Sequence, residues 1–205
     1  MPYAPTKDKN MSNQSNERHR RSTRLKGYDY SRAGAYFVTV CAYGKACLFG
    51  EIENGLMRLN EYGEIVASEW MKSAEIRTEI EYGEFVVMPN HFHGIVHIHR
   101  NHADAADAER AYCHTPLRSP SRNVGAMVRG FKGAASRRIN EIRNTPGAPV
   151  WQRNYYEHVI RNDEDYNRIA EYVVNNPQRW TEDSLHLLFV EAYGNTPPRT
   201  TFAHY

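Results

Sequence analysis

The sequence predicts an α+β domain: a ferredoxin-like antiparallel sheet with two helices on one face, plus an extra C-terminal helix. Three observations predict it. The elements read in the order β-(hairpin)-α-β-β-α-β-α, which splits into two β-α-β units. Two stretches, 60–77 and 123–144, carry apolar residues at helical spacing. One stretch, 91–99, alternates between an apolar set and a set bearing four histidines, as a strand between two different environments does.

The first strand is Tyr36 to Cys41, apolar and β-branched. Cys47–Ile52 and Leu56–Leu59 are short strands around Asn54-Gly55, a pair that favours a hairpin turn. Asn60 caps a helix to about Arg77, with Ile65, Val66, Trp70 and Met71 as its buried stripe. Glu84–Met88 is a strand, Pro89-Asn90 breaks it, and His91–His99 is the next. Residues 100–122, rich in Ala, Asp, Arg, Ser and Pro, read as a loop. In the helix 123–144, Val124, Met127, Val128, Phe131, Ala135, Ile139 and Ile142 form the apolar face. Tyr155–Arg161 is the last strand. Asn162, with Asp165 three residues on, caps a helix from 163 to about 176, stopped by Pro177.

The organisation reads as a disordered basic arm (1–27), a catalytic body (28–180) and a poorly patterned tail (181–205) in which Leu185, Leu187, Leu188 and Phe189 could dock on the core. Net charge is only +2, but it is unevenly spread. Residues 1–27 hold seven Lys/Arg against Asp8 and Glu17, and residues 118–143 hold seven against Glu141. Two basic stripes on a nearly neutral chain fit contact with a nucleic-acid backbone, although a solvated tail and helix face account for them equally well. No apolar run is long enough to cross a membrane, and no apolar leader is present. Cys41, Cys47 and Cys113 lack metal-type spacing, so the expectation is a cytoplasmic chain with reduced thiols.

The chemistry-bearing strand is 91–99. Phe92, Gly94, Val96 and Ile98 should face the helices; His91, His93, Ile95, His97 and His99 should face the other way. Side chains two apart on a strand sit about 6.6–6.8 Å apart, so two imidazoles can lean together onto one ion. His97 and His99 lie further along and read as surface or edge residues. Two imidazoles leave most of an octahedral ion open to substrate oxygens, which suits Mg²⁺ or Mn²⁺ bridging to a phosphate. Tyrosines offer a nucleophile. Tyr172 and Asn176 share a face of the last helix, beside the buried pair Ile169 and Val173. Packed over the histidine face, that helix would bring Tyr172 near the ion and Asn176 within reach as an oxygen ligand. Periodicity alone reads Tyr172 as a core tyrosine sooner than as a nucleophile.

Several strings together resemble the REP-associated tyrosine transposases, relatives of the single-tyrosine HUH transposases. They are Arg20 to Tyr30, Gly34 to Val40, Met88-Pro89-Asn90-His91-Phe92-His93-Gly94-Ile95, Phe131-Lys132-Gly133, Val150 to Arg161, and Tyr172-Val173-Val174-Asn175-Asn176-Pro177. The resemblance runs in order through about residues 20–180. It implies that His91 and His93 hold a divalent metal, with Asn176 completing the site. It implies that Tyr172 attacks a single-stranded DNA phosphate, keeps the 5′-phosphate as a phosphotyrosine and releases a 3′-OH. The implied substrate is a palindromic hairpin with a short flanking guide, and the implied location is cytoplasmic and nucleoid-associated. Monomers and homodimers are both open, because in some relatives the tyrosine helix serves a partner's metal site.

For the DNA grip, Arg129, Lys132, Arg137 and Arg143 lie off the apolar stripe of their helix, where they could meet phosphates. Arg20, Arg21 and Arg24 could reach a groove or stem from the arm. Trp151, Tyr155 and Tyr156 are candidates for base stacking, although a Trp at such a junction is more often core. Glu157 and His158 lie on alternate faces of their strand, and one of them should approach the site. Two other readings stay open: a hairpin-binding protein that no longer cuts, and a metallo-nuclease that uses water.

Overall fold

Alternation along β1 (Gly34–Cys41) sets the layering. Tyr36, Val38 and Val40 are fully buried toward one face, and Phe37 and Thr39 are buried toward the other. A strand apolar on both sides must lie between two layers, and β1 does. The computed structural model describes residues 32–77, 79–99 and 123–186. After β1 come β2 (Gly50–Glu53), β3 (Leu56–Leu59), α1 (Glu61–Ile76), β4 (Ile80–Met88), β5 (His91–Ile98), α2 (Val124–Ile142), β6 (Tyr156–Ile160) and α3 (Asp163–Asn175). The main sheet has the order β4-β5-β1-β6 with every pair antiparallel. That is the ferredoxin-like order expected from the sequence. β2 and β3 pair only with each other, around Asn54 (φ 52°) and Gly55 (φ 75°). Two successive positive φ angles make the turn whose twist suits a tight hairpin.

α1 and α3 start where the sequence places their caps, and Asn123 adds a cap at the start of α2. The Asn60 side chain accepts from the amides of Tyr62 and Gly63, Asn123 from Ala126, and Asn162 from Asp165. α1 and α2 cover one face of the sheet. Trp70 is the centre of that core: it stacks on Tyr82 (4.3 Å between ring centroids) and packs against Phe92 (4.6 Å) and edge-on to Phe131 (5.2 Å). Its indole lies directly over Gly94, where an added Cβ would fall 2.7 Å from Trp70 Cζ2. The close approach of an aromatic ring therefore explains the glycine after His93.

α3 takes the open face, burying Ile169 and Val173 against Phe37, Ile95 and Ile160. Asn176 begins a 3-10 turn, Asn176–Glu182, with Pro177 at its start. The proline thus changes the helix type where a stop was expected.

Three local expectations differ. β4 begins at Ile80, earlier than the apolar run at 84–88; a register shift between Tyr82 and Phe85 admits the polar Gly83-Glu84 pair without ending the strand. Met71 and Ile142, expected on buried stripes, are 51% and 45% exposed. Met71 lies about 100° round its helix from Trp70, and Ile142, though in line with the stripe, is the last residue of α2. Among the described residues, no helix is long and apolar enough to cross a membrane.

Candidate active site

β5 carries His91 and His93 two residues apart, so both project onto the face covered by α3 and the 3-10 turn. They are 0% and 2% exposed, with ring centroids 4.4 Å apart. Each ring is held by its Nδ1. Asn90 Oδ1 lies 2.8 Å from Nδ1 of His91, and Thr39 Oγ1 lies 2.8 Å from Nδ1 of His93. The Asn90 oxygen can only accept, so Nδ1 of His91 carries the proton and Nε2 presents a lone pair. Phe37 stacks on the His93 ring at 5.2 Å and limits its rotation.

Burial depresses both imidazole pKa values. His91 falls to about 3, with the Lys45 charge adding to the effect. His93 falls well below the usual range, with His91 adding to it and Asp183 opposing it. Both rings are therefore neutral, the form that binds a metal.

Asp183 lies just past the 3-10 turn and is 8% exposed. Its Oδ1 accepts from the Leu185 amide at 2.7 Å. Its Oδ2 lies 3.7 Å from Nε2 of His91. With His91 neutral this contact is not an ion pair; a carboxylate oxygen faces an imidazole lone pair. Both atoms are buried without a hydrogen-bond partner, and so is Oδ1 of Asn176. Unsatisfied buried acceptors are costly, and those of His91 and Asp183 face each other. Ligand atoms of His91, His93 and Asp183 all lie within 4.8 Å of one another. Two imidazole nitrogens and a carboxylate form a donor set that fits a divalent cation.

Tyr172, half-buried on α3, places its hydroxyl 3.4 Å from Nε2 of His93, with its ring edge-on to Phe37. Burial pushes its phenol well above the usual range, and the Asp183 carboxylate pushes it further. A hydrogen bond from Asn176 and the charge of Arg179 act the other way. The helix register expected to bring Tyr172 to the histidines does so, and it buries Asn176 beside Tyr172. Asp183 went unnoticed in the sequence because it falls in the tail beyond the last periodic helix. Its nearest sequence signal is Trp180, which packs on His91 at 6.0 Å.

The residues expected to grip DNA scatter. Arg20, Arg21 and Arg24 lie outside the described residues, as do Leu187, Leu188, Phe189 and the 101–122 segment. Arg129 and Arg137 are exposed on α2, in the layer across the sheet from Tyr172. Lys132 is committed elsewhere: its ammonium donates to the carbonyls of Gln152 (2.6 Å), Arg153 (3.2 Å) and Asn154 (3.4 Å). Arg143 likewise bonds Asn140 and the carbonyls of Ala148 and Pro149.

Trp151 is core, 7% exposed and packed on Phe49 at 4.8 Å. Tyr155 sits against the helix-side core and donates to Glu157 at 2.7 Å. Tyr156 packs in the α3-side cluster. His158, also on the α3 side, pairs with Asp165 at 3.1 Å. His99 pairs with Glu81 at the sheet edge.

No family model matches the chain. An uncharacterized protein of Haemophilus influenzae is 39% identical over 181 residues, covering 82% of this chain and 94% of that protein. A solved structure of a REP-associated tyrosine transposase bound to a REP hairpin superposes with a TM-score of 0.50 at 19% identity. The match covers 75% of this chain and 72% of that one, and it shows a shared fold.

Proposed function

We infer that this chain, which belongs to one family with the Haemophilus influenzae protein and has the fold of a REP-associated tyrosine transposase, is a transposase-like strand transferase. It cleaves and rejoins single-stranded DNA at palindromic hairpins through a 5′-phosphotyrosine. The observation that carries this reading is the placement of the Tyr172 hydroxyl 3.4 Å from a buried, neutral histidine pair of the same chain. A binding protein has no use for a phenol aimed at such a pair.

His91, His93, Asp183 and Asn176 would hold Mg²⁺ or Mn²⁺, which supplies Lewis-acid polarisation of the scissile phosphate and positive charge beside the phenol. The chain's residues do the rest. Asn90 and Thr39 fix the imidazole orientations. The Asn176 amide donates to the phenol oxygen, favouring its ionised form. Phe37 and Val173 keep water from one side of the Tyr172 ring. In the reaction, Tyr172 Oη forms a bond to phosphorus and the P–O3′ bond breaks. The phenol loses its proton, and the departing 3′-oxygen gains one. Attack by a 3′-OH on the phosphotyrosine reverses these changes and rejoins the strand. Arg129, Arg137 and His158 remain the described candidates for DNA contact, in a protein working in the cytoplasm on nucleoid DNA.

The test is incubation with a labelled hairpin oligonucleotide and Mg²⁺ or Mn²⁺. A denaturant-stable protein–DNA adduct, absent with Tyr172→Phe, supports the reading. Cleavage that survives Tyr172→Phe would sink it in favour of a water-using nuclease. Tight binding with no cleavage in either metal would favour a hairpin-binding protein.

A further inference from the structure

Asn90 is 1% exposed, and every hydrogen-bonding group of its side chain is engaged. Its Oδ1 holds Nδ1 of His91 at 2.8 Å. Its Nδ2 donates to the carbonyl of Leu185 at 2.8 Å and to that of Lys45 at 3.3 Å. The Leu185 amide in turn donates to Oδ1 of Asp183, whose other oxygen faces Nε2 of His91. The contacts close a ring: His91, Asn90, Leu185, Asp183 and back to His91. A residue needed only for the β4–β5 turn has no reason to grip a segment from the far end of the described chain.

We propose that Asn90 is a positioning residue that assembles the ion-binding face by acting on two ligands at once. It fixes the tautomer of His91, and it hooks the segment 183–186 so that Asp183 presents its free oxygen to that histidine. The proposal rests on reading His91, His93 and Asp183 as a metal site. It adds that Asp183 reaches the site only while Asn90 holds Leu185. An aspartate at position 90 separates the two actions. Its carboxylate still accepts from His91, making the imidazole more basic, but it cannot donate to Leu185. Loss of the hook thus opposes the gain in basicity, and the proposal requires the loss to outweigh the gain.

The experiment is Mn²⁺ titration calorimetry on the full chain with Asn90→Asp, Asp183→Ala and the double variant. Asn90→Asp is expected to weaken Mn²⁺ binding roughly tenfold or more, in the range seen for outer-shell partners of metal ligands. The double variant should bind no more weakly than Asp183→Ala alone. Unchanged or tighter binding by Asn90→Asp, or additive losses, overturns the proposal. A metal-free readout separates it from the reading it rests on. Hydrogen exchange at the Leu185 amide should speed up in Asn90→Asp and stay at the wild-type rate in Thr39→Ser; equal exchange in all three refutes the hook even if the metal site is real. A wild-type chain that binds no Mn²⁺ defeats the metal reading itself. Should Asn90→Asp not fold, Asn90→Ser, which is too short to reach Leu185, serves in the hydrogen-exchange measurement, where wild-type exchange at the Leu185 amide refutes the hook.

Discussion

Tyr172 and His93 meet within one chain: the phenol oxygen of α3 lies 3.4 Å from Nε2 of β5. The helix reaches them by crossing the open face of its own sheet, packed through Ile169 and Val173. On the proposed chemistry, a phenol so placed is expected to act in cis. Mixing His93→Ala protein with Tyr172→Phe protein is expected to restore no cleavage of a hairpin substrate. Activity recovered by mixing would mean that the helix serves a partner's site.

The buried histidines set a pH dependence of stability. An unfolded imidazole titrates near pH 6.5, whereas burial holds His91 neutral down to about pH 3. Below pH 6.5 the unfolded chain binds protons that the folded chain refuses, so stability falls as pH falls. The urea midpoint should drop between pH 7 and pH 5, a range above the ordinary carboxylate titrations. The drop should shrink in a His91→Asn/His93→Asn double variant. A midpoint flat across that range in the wild type contradicts the buried neutral pair.

Lys132 and its neighbours on α2 should part company. Lys132→Met strands three carbonyls of the 152–154 loop and is expected to cost about 1–3 kcal/mol in denaturant unfolding. It should leave the salt dependence of DNA binding unchanged. Arg129→Ala and Arg137→Ala should do the reverse. Each should lower the slope of log affinity against log salt by about 1 while shifting stability by less than about 0.5 kcal/mol. A Lys132→Met chain of wild-type stability with a reduced salt slope would return that residue to the DNA surface.

Gly94→Ala tests the packing beneath the histidines. Its Cβ would meet Trp70 at 2.7 Å and Phe92 at 2.9 Å. Overpacking of this kind costs about 1–3 kcal/mol, read as a lower urea midpoint. Trp70→Phe in the same chain should recover part of the loss. A neutral Gly94→Ala would mean that the Trp70 layer is looser than described.

What could be read in advance follows from periodicity. The histidine face was plain because alternation along 91–99 has only two outcomes, and apolar Phe92, Val96 and Ile98 fixed which one holds. The starts of α1 and α3 are plain because Asn60 and Asn162 each cap through a local bond. Tyr172 was ambiguous because it borders the stripe of Ile169 and Val173, and periodicity cannot tell a buried ring from one whose hydroxyl reaches a site. Asp183 is hidden for a different reason: a 3-10 turn has no long period, and the histidine it faces, His91, is distant in sequence. Lys132 reads as a DNA contact because it lies off the apolar stripe of its helix, and Trp151 reads as core sooner than as a stacking platform. Their real partners, backbone carbonyls and the Phe49–Phe131 core, come from folding the loop before β6 back onto α2.

The placement of α3 also orders events during synthesis. The sheet is complete once β6 has left the ribosome, with its helix-side core closed by α1 and α2. Phe37, Ile95 and Ile160 then remain uncovered until the next segment arrives. A chain stopped there carries the two histidines with no phenol and no acid beside them. On the proposed chemistry such a nascent protein would not cut DNA, and its bare sheet face is sticky until the last helix docks.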